Sequence, residues 1–120
     1  MTQEDKELLL KDLCARLPYG VKMNHIANND NEPITLIGIA KDMITLEGNG
    51  GYSTENVEEF KPYLFPLSSM TEEQKEDMIK SSCGIGSDKN VFDWYNKNHF
   101  DYRGLIPIGL AIDATGKNIY

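Results

Sequence analysis

A chain of 120 residues, 40% hydrophobic and 26% charged, has the size and composition of one soluble globular domain that buries a core without staples. Its net charge of −7 repels phosphate backbones and anionic membranes, which disfavours nucleic acid and lipid as partners. No apolar run approaches the roughly 20 residues that span a bilayer, and the acidic first residues do not read as a secretory leader.

Cys14 and Cys83 lie far apart without metal-type spacing, so no metal and no cofactor are expected, and the thiols should be free in a cytoplasmic protein. Charge is uneven: between Glu55 and Lys80 seven acids face three lysines.

Thr2 caps a predicted first helix, with Glu4 and Asp5 near the positive end of its dipole. Leu9, Leu10, Leu13, Cys14 and Leu17 form its apolar stripe, which puts the Cys14 thiol in the core, and Pro18 ends it. Short strands follow at Val21–Ala27, Ile34–Ala40, Met43–Glu47 and Tyr52–Val57, separated by turn clusters at Asn28–Pro33, Lys41–Asp42 and Gly48–Gly51. Close spacing and tight turns favour an antiparallel meander, closing as a small SH3-like barrel or remaining a twisted sheet.

Pro62 and Pro66 bracket Tyr63, Leu64 and Phe65, and two missing N–H groups predict an extended connector rather than a central strand. Thr71-Glu-Glu-Gln74 is a capping box for a surface helix that touches the core through Met78, Ile79 and Cys83 and ends at Gly84. Ser87 or Asp88 caps the next helix, whose face of Val91, Phe92, Trp94 and Tyr95 is strongly apolar, with Trp94 assigned to the core. Arg103–Gly109 should be extended, and the remainder a closing hairpin or loose tail. The fold class is therefore α+β in a single domain: an N-terminal helix, a small antiparallel sheet, two helices and an extended C-terminal segment.

No complete catalytic constellation emerges. Asp113-Ala-Thr-Gly116 partly matches aspartic-protease and phosphoryl-enzyme signatures, but a type I turn explains the same letters. Cys83-Gly-Ile-Gly-Ser-Asp88 lacks the Lys-Ser/Thr ending of a phosphate-binding loop and reads as a helix stop followed by a helix start. His25 sits in a strand and His99 near a helix end, where a cationic imidazole is favoured. The acidic pairs at Glu58, Glu72 and Glu76 lack the loop geometry of a calcium site.

At Lys11-Asp-Leu-Cys-Ala-Arg-Leu-Pro-Tyr-Gly20, Lys61-Pro-Tyr-Leu-Phe-Pro-Leu-Ser-Ser-Met-Thr-Glu-Glu-Gln74 and Asp101-Tyr-Arg-Gly-Leu-Ile-Pro-Ile-Gly-Leu-Ala111, the chain resembles a family of small uncharacterised proteins. They come from gut anaerobic bacteria and are often associated with prophage or other mobile elements. The resemblance spans both ends and the middle of the chain and implies no catalytic or binding residue.

The favoured function is a non-enzymatic interaction or adaptor protein whose acidic surface docks a protein partner. Candidate contacts are His25, Asn28, Asn29, Asp30, Asn49 and Tyr52 in the strand region, and Tyr95, Tyr102 and Arg103 at the aromatic end. Two alternatives remain. A nucleic-acid-binding SH3-like barrel would gather Lys22, Lys41 and Lys61, and a small hydrolase or transferase would bring His99, Cys83 and Asp101 together.

Overall fold

The computed structural model describes residues 2–27, 33–48, 50–81 and 89–120, and the backbone of 87 and 88. Helix α1 (Gln3–Arg16) opens on the predicted cap: the Thr2 hydroxyl accepts from the Asp5 amide, and the Asp5 side chain accepts from that of Thr2. Its inward face is Leu9, Asp12, Leu13 and Arg16, and Cys14 is exposed. The expected stripe is thus rotated, because a buried ion pair between Asp12 and Arg16 occupies positions that hydrophobicity alone assigns to solvent.

Strands β1 (Lys22–His25), β2 (Ile34–Ala40), β3 (Met43–Gly48) and β4 (Gly51–Asn56) form the expected antiparallel meander. A bulge between Leu36 and Gly38 bends β2. At the base of the β3–β4 hairpin, a Cβ on Gly48 would lie 2.6 Å from Ile34 Cγ2, so only glycine permits this approach. Leu36, Ile44 and Leu46 point to the core, where they meet Leu9 and Leu13 of α1 together with Val21, Met23, Val57 and Phe60.

Residues Phe60–Pro66 are not a connector but strand β5, which lies inside the sheet. The bond from Ile26 N to Glu59 O makes those two residues a hydrogen-bonded antiparallel pair, so the pairing of Met23 with Pro62 is of the non-hydrogen-bonded kind. The nitrogen of Pro62 therefore faces away from β1, and Pro66 is the last residue of the strand, so neither proline breaks that ladder.

The next hydrogen-bonded pair along β1 and β5 would be Lys22 with Tyr63. There the Tyr120 hydroxyl stands in the ladder: it accepts from Lys22 N at 2.8 Å and donates to Tyr63 O at 2.8 Å.

Helix α2 (Glu72–Ser81) begins with the predicted box, Thr71 and Gln74 bonding each other's amides. Helix α3 (Ser87–Lys97) follows; the predicted stop at Cys83–Gly84 lies outside the described residues, as do the cap side chains of Ser87 and Asp88. Two short strands, β6 (Phe100–Asp101) and β7 (Ile112–Asp113), add to β5 in parallel, so the sheet is mixed rather than wholly antiparallel. The path β4-β3-β2-β1-β5-β6 does not close.

Residues 105–109 are turns rather than an extended segment, organised by the Asp101 carboxylate. The turn that forms runs one residue later than Asp113–Gly116: Lys117 N donates to Ala114 O, Gly116 takes φ +76°, and Asp113 Oδ1 accepts from Thr115 N.

Candidate functional site

One edge of the sheet is β4, the longer of the two strands that end its path. The bond from Val57 N to Asp42 O makes that pair hydrogen-bonded, and the phase alternates along the ladder. Ile44 with Glu55, Leu46 with Ser53 and Gly48 with Gly51 are then the pairs that bond across. Tyr52 and Thr54 must turn their N–H and C=O groups away from β3, towards the free edge. Sheet edges are usually blunted by Lys, Pro or inward-pointing charge. Here the strand reads Gly-Tyr-Ser-Thr-Glu-Asn, and its first four residues are exposed, with Tyr52 71% accessible.

The surroundings are acidic. Asp42, Glu47, Glu55, Glu58 and Glu59 face only Lys41 within residues 41–59. Lys6 of α1 reaches Asp42 at 3.3 Å and Glu58 at 3.0 Å, leaving Glu47, Glu55 and Glu59 without an ion pair among the described residues.

On the outer face, cross-strand pairing sets Lys22, Thr35, Glu47 and Tyr52 in one row over four strands. Lys22 Nζ is engaged by Thr35 Oγ1 at 2.6 Å. At the end of that row, Glu47, Gly48, Gly50, Gly51 and Tyr52 line a notch of about 200 Å³.

The other predicted contacts divide in three. His25 packs its ring on Phe60 at 4.8 Å and borders a shallow hollow with Ile26, Glu58 and Glu59. Asn28, Asn29, Asp30 and Asn49 lie outside the described residues. Tyr95, Tyr102 and Arg103 do come together: Tyr95 stacks on Tyr102 at 5.5 Å, and the Arg103 guanidinium sits 4.8 Å from the same ring. That cluster faces inward to Asp12, which Arg103 Nε reaches at 3.2 Å, while the Tyr102 hydroxyl donates to Asn96. Its bonding ties α1 to α3.

A larger cleft of about 330 Å³ lies beside Tyr19, Asp77, Asp93 and Trp94. Both of its carboxylates are already bonded, Asp77 by Trp94 Nε1 at 2.7 Å and Asp93 by Lys89 at 3.0 Å.

His99 departs from the expected cationic imidazole. Burial, with Arg16 and Lys22 nearby, moves it from 6.5 down to about 4, so the ring is neutral at neutral pH. It stacks on Tyr120 at 3.7 Å, its Nδ1 is buried without a hydrogen-bond partner among the described residues, and its backbone has φ +63°. The unfolded chain takes up this proton more readily than the folded one. Stability is therefore full above about pH 6.5 and falls as pH drops towards 4. The expected loss is roughly 2 kcal/mol, allowing for partial solvent screening. Urea unfolding of His99→Asn, a residue suited to positive φ, should show a flatter pH dependence in that window than wild type. Equal slopes would remove His99 from the acid response.

Of the lysines named for the nucleic-acid alternative, Lys61 stands opposite Asn24 on β5, the strand beside Lys22. Lys22 bonds the start of β2 and Lys41 follows its end, about 20 Å along the strand. Both Asp101 oxygens accept backbone amides, and Cys83 is outside the described residues. Among the described residues no group of three or more His, Cys, Asp or Glu side chains is placed to hold a metal ion, and no helix is long and apolar enough to cross a membrane.

Glu47 and Thr54 were not marked by composition. The signal was available in register: Asn-Gly at 49–50 is a two-residue hairpin signal in the sequence, and the Gly48–Gly51 pairing fixes which β4 residues face outward. Comparison with protein-family models, with curated proteins and with solved structures gives no match.

Proposed function

We propose that the protein is a non-enzymatic interaction module whose β4 edge adds a strand from an extended, basic segment of another protein. The observation that carries this is the pair of outward-facing backbone positions, Tyr52 and Thr54, on an edge strand without Pro or Lys. The carboxylates around the strand select a basic segment and repel a second copy of the chain, which carries the same −7. We read the meander as an open relative of the SH3-like arrangement, since β5 returns to pair with β1 and leaves β4 at the margin.

Thr54→Pro tests the reading. Thr54 pairs with Thr45 at a non-bonding position, so proline there removes an outward N–H without removing a bond to β3. With the acetylated, amidated peptide Thr-Arg-Thr-Arg-Thr-Arg-Thr as probe, wild type should bind and protect the Tyr52 and Thr54 amides from exchange. The variant, still folded, should bind at least about tenfold more weakly. Equal binding by the two proteins, or no binding by wild type, overturns the proposal. A wild-type dimer that Thr54→Pro dissolves without peptide would also overturn it, giving the edge to a second copy.

A further inference from the structure

The geometry points to a guanidinium-binding notch at the hairpin end of β4, formed by the Tyr52 ring, the Glu47 carboxylate and the backbone of Gly48, Gly50 and Gly51. This inference rests on the edge-pairing reading and specifies which side chain of the incoming strand is recognised. Glu47 and Tyr52 are directly opposed across a non-hydrogen-bonded pair, the closer of the two antiparallel kinds. Both are exposed, and Glu47 has no ion pair among the described residues.

Among the described residues, and apart from each glycine's chain neighbours, nothing lies within 4 Å of where a Cβ would stand on Gly50 or Gly51, and the notch of about 200 Å³ is bounded by Tyr52. Gly50 has φ +86°, a conformation that favours glycine. The row Lys22, Thr35, Glu47, Tyr52 would continue into the added strand at the residue opposite Tyr52, on the same face.

An arginine there lays its planar cation against Tyr52 and extends towards Glu47, two strands away. Aromatic faces and carboxylates both attract guanidinium, and its flat fork suits a shallow site better than a lysine ammonium does. The first cation of the row, Lys22, is held by Thr35 and does not neutralise Glu47.

The test compares the same seven-residue peptide with a form in which each arginine is citrulline, equal in shape but uncharged. Wild type should prefer the arginine peptide by about tenfold. Tyr52→Leu and Glu47→Gln should each cut that preference to about twofold to threefold. Thr54→Pro should weaken both peptides alike, which separates failure of strand pairing from failure of the notch. If both notch variants keep the full preference, general acidity accounts for it and the notch is refuted. The same holds if wild type shows no preference although Thr54→Pro still weakens binding; strand addition at the edge then stands without selection for a basic segment.

Discussion

Asp12→Ala is expected to destabilise the protein by about 3–5 kcal/mol, a large part of the stability of a domain this size. Asp12 and Arg16 are both fully buried, joined by bonds of 2.8 and 3.2 Å, and Arg103 adds a third contact to the same carboxylate at 3.2 Å. One anion thus serves two cations. Arg16 also donates to Phe100 O at 2.6 Å and lies 5.4 Å from the Tyr102 ring, so it links α1 to β6.

Removing Asp12 leaves a guanidinium in the core without its counter-ion, and that desolvation is not recovered. Arg103, 21% exposed at its side chain, can turn to solvent, whereas Arg16 cannot. The double variant Asp12→Leu with Arg16→Met should regain most of the loss, because an apolar pair of similar volume avoids the desolvation altogether. Urea unfolding of both variants checks this. A loss below about 1 kcal/mol for Asp12→Ala would mean the pair behaves like a surface ion pair.

Asp101→Ala should cost about 2–5 kcal/mol. Its two oxygens accept from Leu105 N and Ile106 N, each at 2.9 Å, at a position 6% exposed. Leu105 is itself completely buried, so its amide has no water to turn to. Each orphaned buried donor costs roughly 1–3 kcal/mol. Asp101→Asn keeps one acceptor oxygen and should lose less than half as much. Amide exchange is the sharper measurement: Leu105 and Ile106 should lose protection in Asp101→Ala before the rest of the sheet does. If their protection is unchanged, the carboxylate does not hold the turn.

Much of the fold was legible because local chemistry decided it. Thr2 and Thr71 mark helix starts with side chains that bond the first free amides, and β2 runs over the residues that its β-branched content indicates. Cys14 was misplaced because hydrophobic spacing cannot register a buried ion pair of residues two positions to either side of it, on the opposite face of the helix. Phe60–Pro66 was misjudged because a proline's effect on a strand depends on which edge its nitrogen faces, a matter of pairing rather than composition. The charge state of His99 depends on burial and on Arg16, 83 positions earlier in the chain. At the candidate site, Tyr52 was legible as a candidate contact after the Gly48–Gly51 loop, and the structure leaves it 71% exposed. The roles of Thr54 and Glu47 required the phase of the β3–β4 ladder.

The Tyr120 hydroxyl that stands between Lys22 and Tyr63 has a kinetic consequence. A sheet normally seals itself from its own backbone as neighbouring strands meet. Here the join between the meander and β5 is completed by a side chain 98 residues from Lys22. A contact of that span carries the greatest loop-closure cost and belongs to the late part of folding. On the ribosome, the seam cannot be sealed until residue 120 has emerged. An otherwise assembled meander must wait for Tyr120 to lock its first strand.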